Sequence, residues 1–121
     1  MLLDSNLIIY ASRPEHEALR TFIAREAPYV SVISMVETLG YHALRDDEQQ
    51  FLEEFFDAST VLPVSQSAIT VAIRLRQERR MSLGDALIAG IAISQDMPLA
   101  THNVDDFAWI EELTVVDPLD A

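Results

Sequence analysis

Cysteine is absent from this 121-residue chain, and so is lysine. Without cysteine there are no disulfides and no thiolate metal sites, which agrees with a reducing cytoplasm. With only 3 Gly and 5 Pro in a chain that is 50% apolar, low complexity and disorder are excluded. The N-terminus has no basic segment followed by a long apolar stretch, so no secretory signal is expected. The longest apolar stretch, Ala86 to Ile93, is far shorter than the ~20 residues of a membrane span. A soluble cytoplasmic protein with no membrane contact is the expectation. Bases are scarce as well: eight, all Arg, against 20 acids, for a formal charge of −12. That balance argues against nucleic-acid binding through a basic surface alone. A nucleic-acid enzyme of this charge needs metal ions to offset its acids, or a basic partner to cover them.

What is present alternates between strand and helix patterns, which predicts one α/β domain over residues 1–121 with a mostly parallel sheet. Leu2 and Leu3, then Leu7 to Tyr10, frame a first strand followed by a turn or short helix. Pro14 suits a helix start, and Leu19, Phe22, Ile23 and Ala27 recur at helical spacing before Pro28. Tyr29 to Ile33 reads as the second strand, with Ser34 as the next N-cap and Glu37 at capping-box spacing. Helical segments around Met35–Leu44 and Phe51–Phe56 lead to a strand over Thr60–Val64, which Pro63 places near an edge. Ser65 or Ser67 opens a helix to Arg80, and Ser82 caps the next one. Pro98–Thr101 and Leu113–Val116 read as the last strands, around a loop or single helical turn from Asn103 to Trp109.

Four acidic or polar clusters interrupt segments that otherwise read as core. Asp4 closes the first apolar run, where ligands gather at the carboxyl ends of parallel strands; an N-cap or turn role fits Asp-Ser-Asn equally. Glu37 is either a capping-box glutamate or a site acid. Asp85 sits in the first turn of an almost wholly apolar helix; the macrodipole favours an acid there, but Ser82 already supplies the cap. Thr101-His102-Asn103-Val104-Asp105-Asp106-Phe107 follows the fourth strand and is either an Asx-type turn or the far wall of a site. Burying unpaired carboxylates is strongly unfavourable, and hard divalent cations with oxygen ligands resolve it. Such ions also stabilise charge in phosphoryl chemistry. The stretch Arg74 to Arg80 holds half the bases, either as a solvated helix end or as a phosphate contact near Asp85.

The order strand-Asp-Ser-Asn, Ser-x-x-Glu, Leu-x-Asp-Ala-x-Ile-Ala and Thr-x-Asn-x-x-Asp-Phe resembles the PIN-domain family. More narrowly it is similar to the VapC-type ribonuclease toxins of toxin–antitoxin pairs. The resemblance runs along essentially the whole chain and is most specific from Leu83 to Ala89. It implies a three-layer α/β domain, its mostly parallel twisted sheet of four to five strands flanked by helices. It also implies an acidic pocket for Mg²⁺ or Mn²⁺, RNA as substrate, a cognate antitoxin as partner, and a homodimer. Carried over by position, Asp4, Glu37 and Asp85 match the three core acids and metal ligands. Asp106 matches the acid before Phe as a fourth catalytic residue, while Asn103 stands where many such domains carry Asp. Asn6 and Thr101 match polar residues lining the pocket.

The function expected is a Mg²⁺- or Mn²⁺-dependent endoribonuclease, the toxin of such a pair. Its alternative is a non-catalytic PIN-fold or receiver-like module that retains an acidic metal site. Receiver domains rely on a lysine that this chain lacks, and haloacid-dehalogenase-type phosphohydrolases want an Asp two residues after the nucleophile, where Asn6 stands.

Overall fold

Among the described residues five two-residue strands carry the fold, and the first four are short because the chain enters a helix within a few residues of leaving the sheet. The computed structural model describes residues 1–120. In chain order the elements are β1 (Leu2–Leu3), α1 (Ser5–Ala11), α2 (Glu17–Glu26), β2 (Val30–Ser31), α3 (Val32–Leu39), α4 (Asp46–Ala58), β3 (Val61–Leu62), α5 (Gln66–Glu78), α6 (Leu83–Ser94), β4 (Leu99–Ala100), α7 (Val104–Phe107) and β5 (Val115–Val116). Strands β1, β4 and β5 form one parallel sheet, with Leu2 opposite Leu99 and Leu99 opposite Val115. Strands β2 and β3 pair in parallel beside them, with Val30 opposite Val61. A parallel bridge between Leu2 and Tyr29, with the Leu3 N–H donating to the Tyr29 carbonyl at 2.9 Å, joins the two. The resulting order is β3-β2-β1-β4-β5, all parallel, as the alternating pattern predicts.

Alternation along the strands sends successive side chains to opposite faces. Leu2 and Leu99 join a cluster with Ala68, Leu75, Ile88 and Ile91 from α5 and α6. Leu3 and Ala100 join Leu7, Ile8, Leu19, Leu52 and Phe56 on the other side. Helices therefore cover both faces, in three layers. Each fully buried leucine contributes roughly 1.5–3 kcal/mol. Helix α6 is buried along Ala86, Ile88, Ala89, Gly90, Ile91 and Ala92. Its small residues let it lie close against α5, where a Cβ on Gly90 would collide with the Ala68 carbonyl. Among the described residues no helix is long and apolar enough to cross a membrane.

Several boundaries differ from the sequence expectation: α2 begins at Glu17 and not at Pro14, and α3 ends at Leu39 short of Leu44. The second strand stops at Ser31, and Ser31, not Ser34, caps α3, its hydroxyl accepting the Ser34 N–H at 3.1 Å. Ser34 lies inside the helix and is fully buried. The capping box is therefore absent, and the Glu37 side chain is free for another partner. The other caps follow the sequence: Ser65 opens α5 and Ser82 opens α6. Helix α5 ends two residues before Arg80.

Candidate active site

Strand order reverses direction between β1 and β4, and in parallel sheets ligands bind beyond the carboxyl ends at such a switch point. Asp4 ends β1 there, and Thr101 ends β4. The two side chains meet: the Thr101 hydroxyl donates to Asp4 Oδ2 at 2.7 Å, and the Ser5 N–H donates to Asp4 Oδ1 at 2.8 Å. Asp4 is thus also the N-cap of α1, as its turn-friendly triplet suggests. It is 3% exposed, an unusual burial for a carboxylate.

Glu37 arrives from α3. The Ser5 hydroxyl donates to Glu37 Oε1 at 2.9 Å and lies 2.8 Å from Ser34 Oγ. The Ser31 hydroxyl donates to Ser34 Oγ at 3.3 Å. One consistent direction runs through these contacts: Ser31 donates to Ser34, Ser34 to Ser5, and Ser5 to the carboxylate. Five of the six buried polar residues, Asp4, Ser5, Ser31, Ser34 and Thr101, belong to this edge. None of their buried side-chain polar atoms lacks a partner. Polar burial is concentrated where the acids are, and elsewhere the interior is apolar.

Asp85 lies in the first turn of α6, half-buried, its N–H held by Ser82 Oγ at 3.1 Å. Gly84 places the backbone of that turn against Glu37: a Cβ there would stand 2.6 Å from Glu37 Oε2. Asp106 and Asp105 are exposed on α7, and Asn103 is that helix's N-cap residue, its N–H donating to Thr101 Oγ1 at 3.0 Å. Asn6 is half-buried in the first turn of α1.

The electrostatics bind these acids together. Burial raises the Asp4 pKa above its usual 3.8; the hydrogen bonds from Thr101 and Ser5 oppose that rise, and the charges of Asp85 and Glu37 add to it. Burial likewise raises Asp85, opposed by Ser82 and reinforced by Asp106 and Glu37. Among the described residues none of Asp4, Glu37, Asp85 and Asp106 is in an ion pair. The four are near enough to repel one another, yet no set of three is drawn in tightly enough to be a preformed metal cage. An all-oxygen donor set with unneutralised, mutually repelling charge fits Mg²⁺ or Mn²⁺ and does not fit a soft metal.

Ser5 and Ser34 are the residues that sequence reasoning missed. Ser5 was visible only as part of a turn-friendly triplet, and its link to Ser34 spans 29 positions. His102, beside the fourth cluster, is exposed and pairs with Asp117 at 3.0 Å, away from the acids.

The fold has close counterparts among solved structures. VapBC2 from Rickettsia felis, bound to a DNA fragment from its promoter, aligns over 96% of both chains with a TM-score of 0.84 at 21% identity, a likeness of fold. A toxin–antitoxin complex from Klebsiella pneumoniae aligns over 99% of this chain and 98% of the other, with a TM-score of 0.74 at 26% identity. VapBC-1 from nontypeable Haemophilus influenzae aligns over 97% and 96%, with a TM-score of 0.79 at 25% identity. No curated protein matches the sequence. A family model described as PIN domain matches residues 1–113, nearly the whole chain, with the acids and Thr101 all inside the match, and the chain belongs to the PIN-domain family.

Proposed function

We propose that this protein is a Mg²⁺- or Mn²⁺-dependent endoribonuclease and the toxin of a toxin–antitoxin pair. The observation that carries the reading is a buried carboxylate, Asp4, facing Glu37 and Asp85 across a strand switch point, with none of the three paired to an arginine or histidine among the described residues. Asp4, Glu37 and Asp85 would hold the metal, and Asp106 would complete the acidic set. The bound ion supplies charge stabilisation for phosphodiester hydrolysis and a water of lowered pKa.

The chain's own residues orient the site. Thr101 and the Ser5 N–H fix both oxygens of Asp4. Ser5 fixes one oxygen of Glu37 and leaves the other free. Asn103 ties α7 to Thr101, which keeps Asp106 near Asp85. Asn6 and Asn103 would offer neutral hydrogen bonds at the pocket wall, adding no charge against a phosphate. Cleavage of RNA by the purified chain in Mn²⁺ or Mg²⁺, and its loss in EDTA, tests this reading. Metal-independent cleavage, or none with any divalent ion, contradicts it.

The partner proposed is an antitoxin that covers the acidic edge with an arginine. A guanidinium pairs two-pronged with carboxylates and would take the place of the metal. The solved complexes similar to this chain are toxin–antitoxin assemblies, which supports the reading. A single domain, a cytoplasmic location and a homodimer complete it. Exposed apolar side chains supply the dimer surface: Val36 and Tyr41 at the end of α3, with Ile73 and Leu83 near the α5–α6 turn. Two-fold symmetry is the default for such assemblies. Sedimentation at micromolar concentration should return a dimer, and a monomer would contradict it.

A further inference from the structure

A cleft of about 290 Å³ opens between the α5–α6 turn and α7, beside the acids. Arg79, Arg80, Ser82 and Asp85 line it from the α5–α6 segment, and Asp105, Asp106 and Trp109 from α7 and the turn after it. The two arginines are paired with none of these three acids. Among the described residues Arg79 and Arg80 have no carboxylate partner, although the chain has 20 acids. Arg25, Arg45 and Arg74 all do, Arg74 doubly with Glu78 and Glu112.

The positions of these groups are fixed by their surroundings. Arg76 Nε donates to the Met81 carbonyl at 3.3 Å, which tethers the turn carrying Arg79 and Arg80 to α5. Trp109, the single tryptophan, packs half-buried against the core, and its Nε1 donates to the Asp106 carbonyl at 3.1 Å. The indole therefore rides on the same turn as Asp106. The Arg79 guanidinium lies over its ring, 5.4 Å from the centroid.

We infer that this cleft is a subsite for one nucleotide of single-stranded RNA, with Arg80 on its phosphate and the Arg79–Trp109 layer under its base. The inference rests on the nuclease reading and extends it to the strand flanking the cut. Unpaired bases stack on aromatic rings and on guanidinium planes, whereas duplex bases are not free to do so. The volume suits one small polar ligand, at the lower end of the roughly 300–1,000 Å³ of such sites. On a protein of charge −12, two arginines without carboxylate partners beside the acidic edge give the phosphate chain a local foothold. An acidic peptide would pair with the arginines but brings no base to stack on the Arg79 guanidinium.

The test uses the full-length chain with Asp4→Asn in every version, in Mg²⁺, so that the probe stays uncut. A labelled single-stranded decaribonucleotide should quench the Trp109 fluorescence on binding. Arg80→Gln should weaken its anisotropy-measured affinity roughly tenfold and lower the salt slope by about one. Trp109→Leu should weaken affinity at least about fivefold; Arg79→Gln, which leaves the core untouched, should weaken it similarly. In the otherwise wild-type chain Arg80→Gln should raise KM for RNA and leave kcat within about twofold. Cleavage with unchanged KM and unchanged affinity in all three variants overturns the subsite and leaves the nuclease reading standing. Variant-sensitive RNA binding, together with no cleavage by the chain that keeps Asp4, supports the subsite and refutes the nuclease reading. Quenching by a polyglutamate peptide and not by RNA overturns the subsite in favour of a protein ligand, and duplex RNA binding as well as single-stranded RNA also overturns it.

Discussion

Asp4→Asn is expected to remove metal-dependent RNA cleavage and, in the same molecule, to raise the stability of the metal-free protein. The two effects have one cause. Asp4 is nearly inaccessible, and its charge is opposed first by burial and then by Asp85 and Glu37. The hydrogen bonds from Thr101 and Ser5 offset part of that cost, and on the proposed reading a bound cation would offset the rest. The amide keeps an oxygen for the Ser5 N–H, and its NH₂ reaches Thr101 Oγ1, so the substitution preserves the local hydrogen bonding. It removes a metal ligand, which should cost on the order of a thousandfold in turnover, about 4 kcal/mol.

The stability gain has a definite pH dependence. The Asp4 pKa is raised in the folded state, so the folded protein holds this proton more tightly than the unfolded chain does. Stability from the protonated group is fully present below the ordinary value of 3.8 and is lost as pH rises through the raised folded value. The variant lacks that loss. In EDTA its melting temperature should exceed the wild type's by a few degrees near pH 7, for a gain of about 1 kcal/mol. The difference should shrink as pH falls from the raised folded value towards the ordinary 3.8. Equal melting temperatures at pH 7, or a variant that still cuts RNA in Mn²⁺, would contradict the role given to Asp4.

Much of this edge was legible because each acid broke an apolar pattern. Asp85 interrupts an otherwise apolar α6, and Asp4 ends the Leu2-Leu3 run; the structure keeps Asp4 as a cap and Asp85 in a first turn and also sets their charges against each other. The pairing of the strands followed from the alternation of strand and helix signals, and β1 beside β4 brings Asp4 to Thr101 across 97 positions. The start of α3 was not legible. Ser31 and Ser34 are three residues apart, and only Ser34 has a glutamate three positions on to complete a capping box, so local rules favour the wrong serine. The tertiary structure decides: Ser34 is needed inside, against Ser5, and that contact joins segments 29 residues apart. For the same reason Glu37 looked like half of a capping box, when its hydrogen-bond partner is on another helix. The Arg79–Trp109 contact also depends on how α5 and α7 are placed, which no spacing in the chain reveals.

Gly84→Ala is the converse experiment, in which one methyl group should silence the site without weakening the fold. Glycine in a helix interior is less stable than alanine by roughly 0.5–1 kcal/mol, so on propensity alone the change is favourable. The space for the new Cβ is the difficulty. It would stand 2.6 Å from Glu37 Oε2 and 3.3 Å from Oε1, and both atoms belong to the free end of a flexible side chain. Glu37 can therefore move at little cost to stability, and the net change should lie within about 1 kcal/mol of zero. Moving it breaks the 2.9 Å contact with the Ser5 hydroxyl and takes one carboxylate out of the set facing Asp4 and Asp85. A displacement of about 1 Å in a catalytic group can cost roughly a hundredfold in rate, and a loss of that size is expected here. A double-mutant cycle isolates the cause. If the loss runs through Glu37, Gly84→Ala should add almost nothing to a chain already carrying Glu37→Ala, because both remove the same interaction. Losses that multiply instead would show that Gly84 acts on Asp85 or on the helix start, and full activity in Gly84→Ala alone would remove Glu37 from the catalytic set.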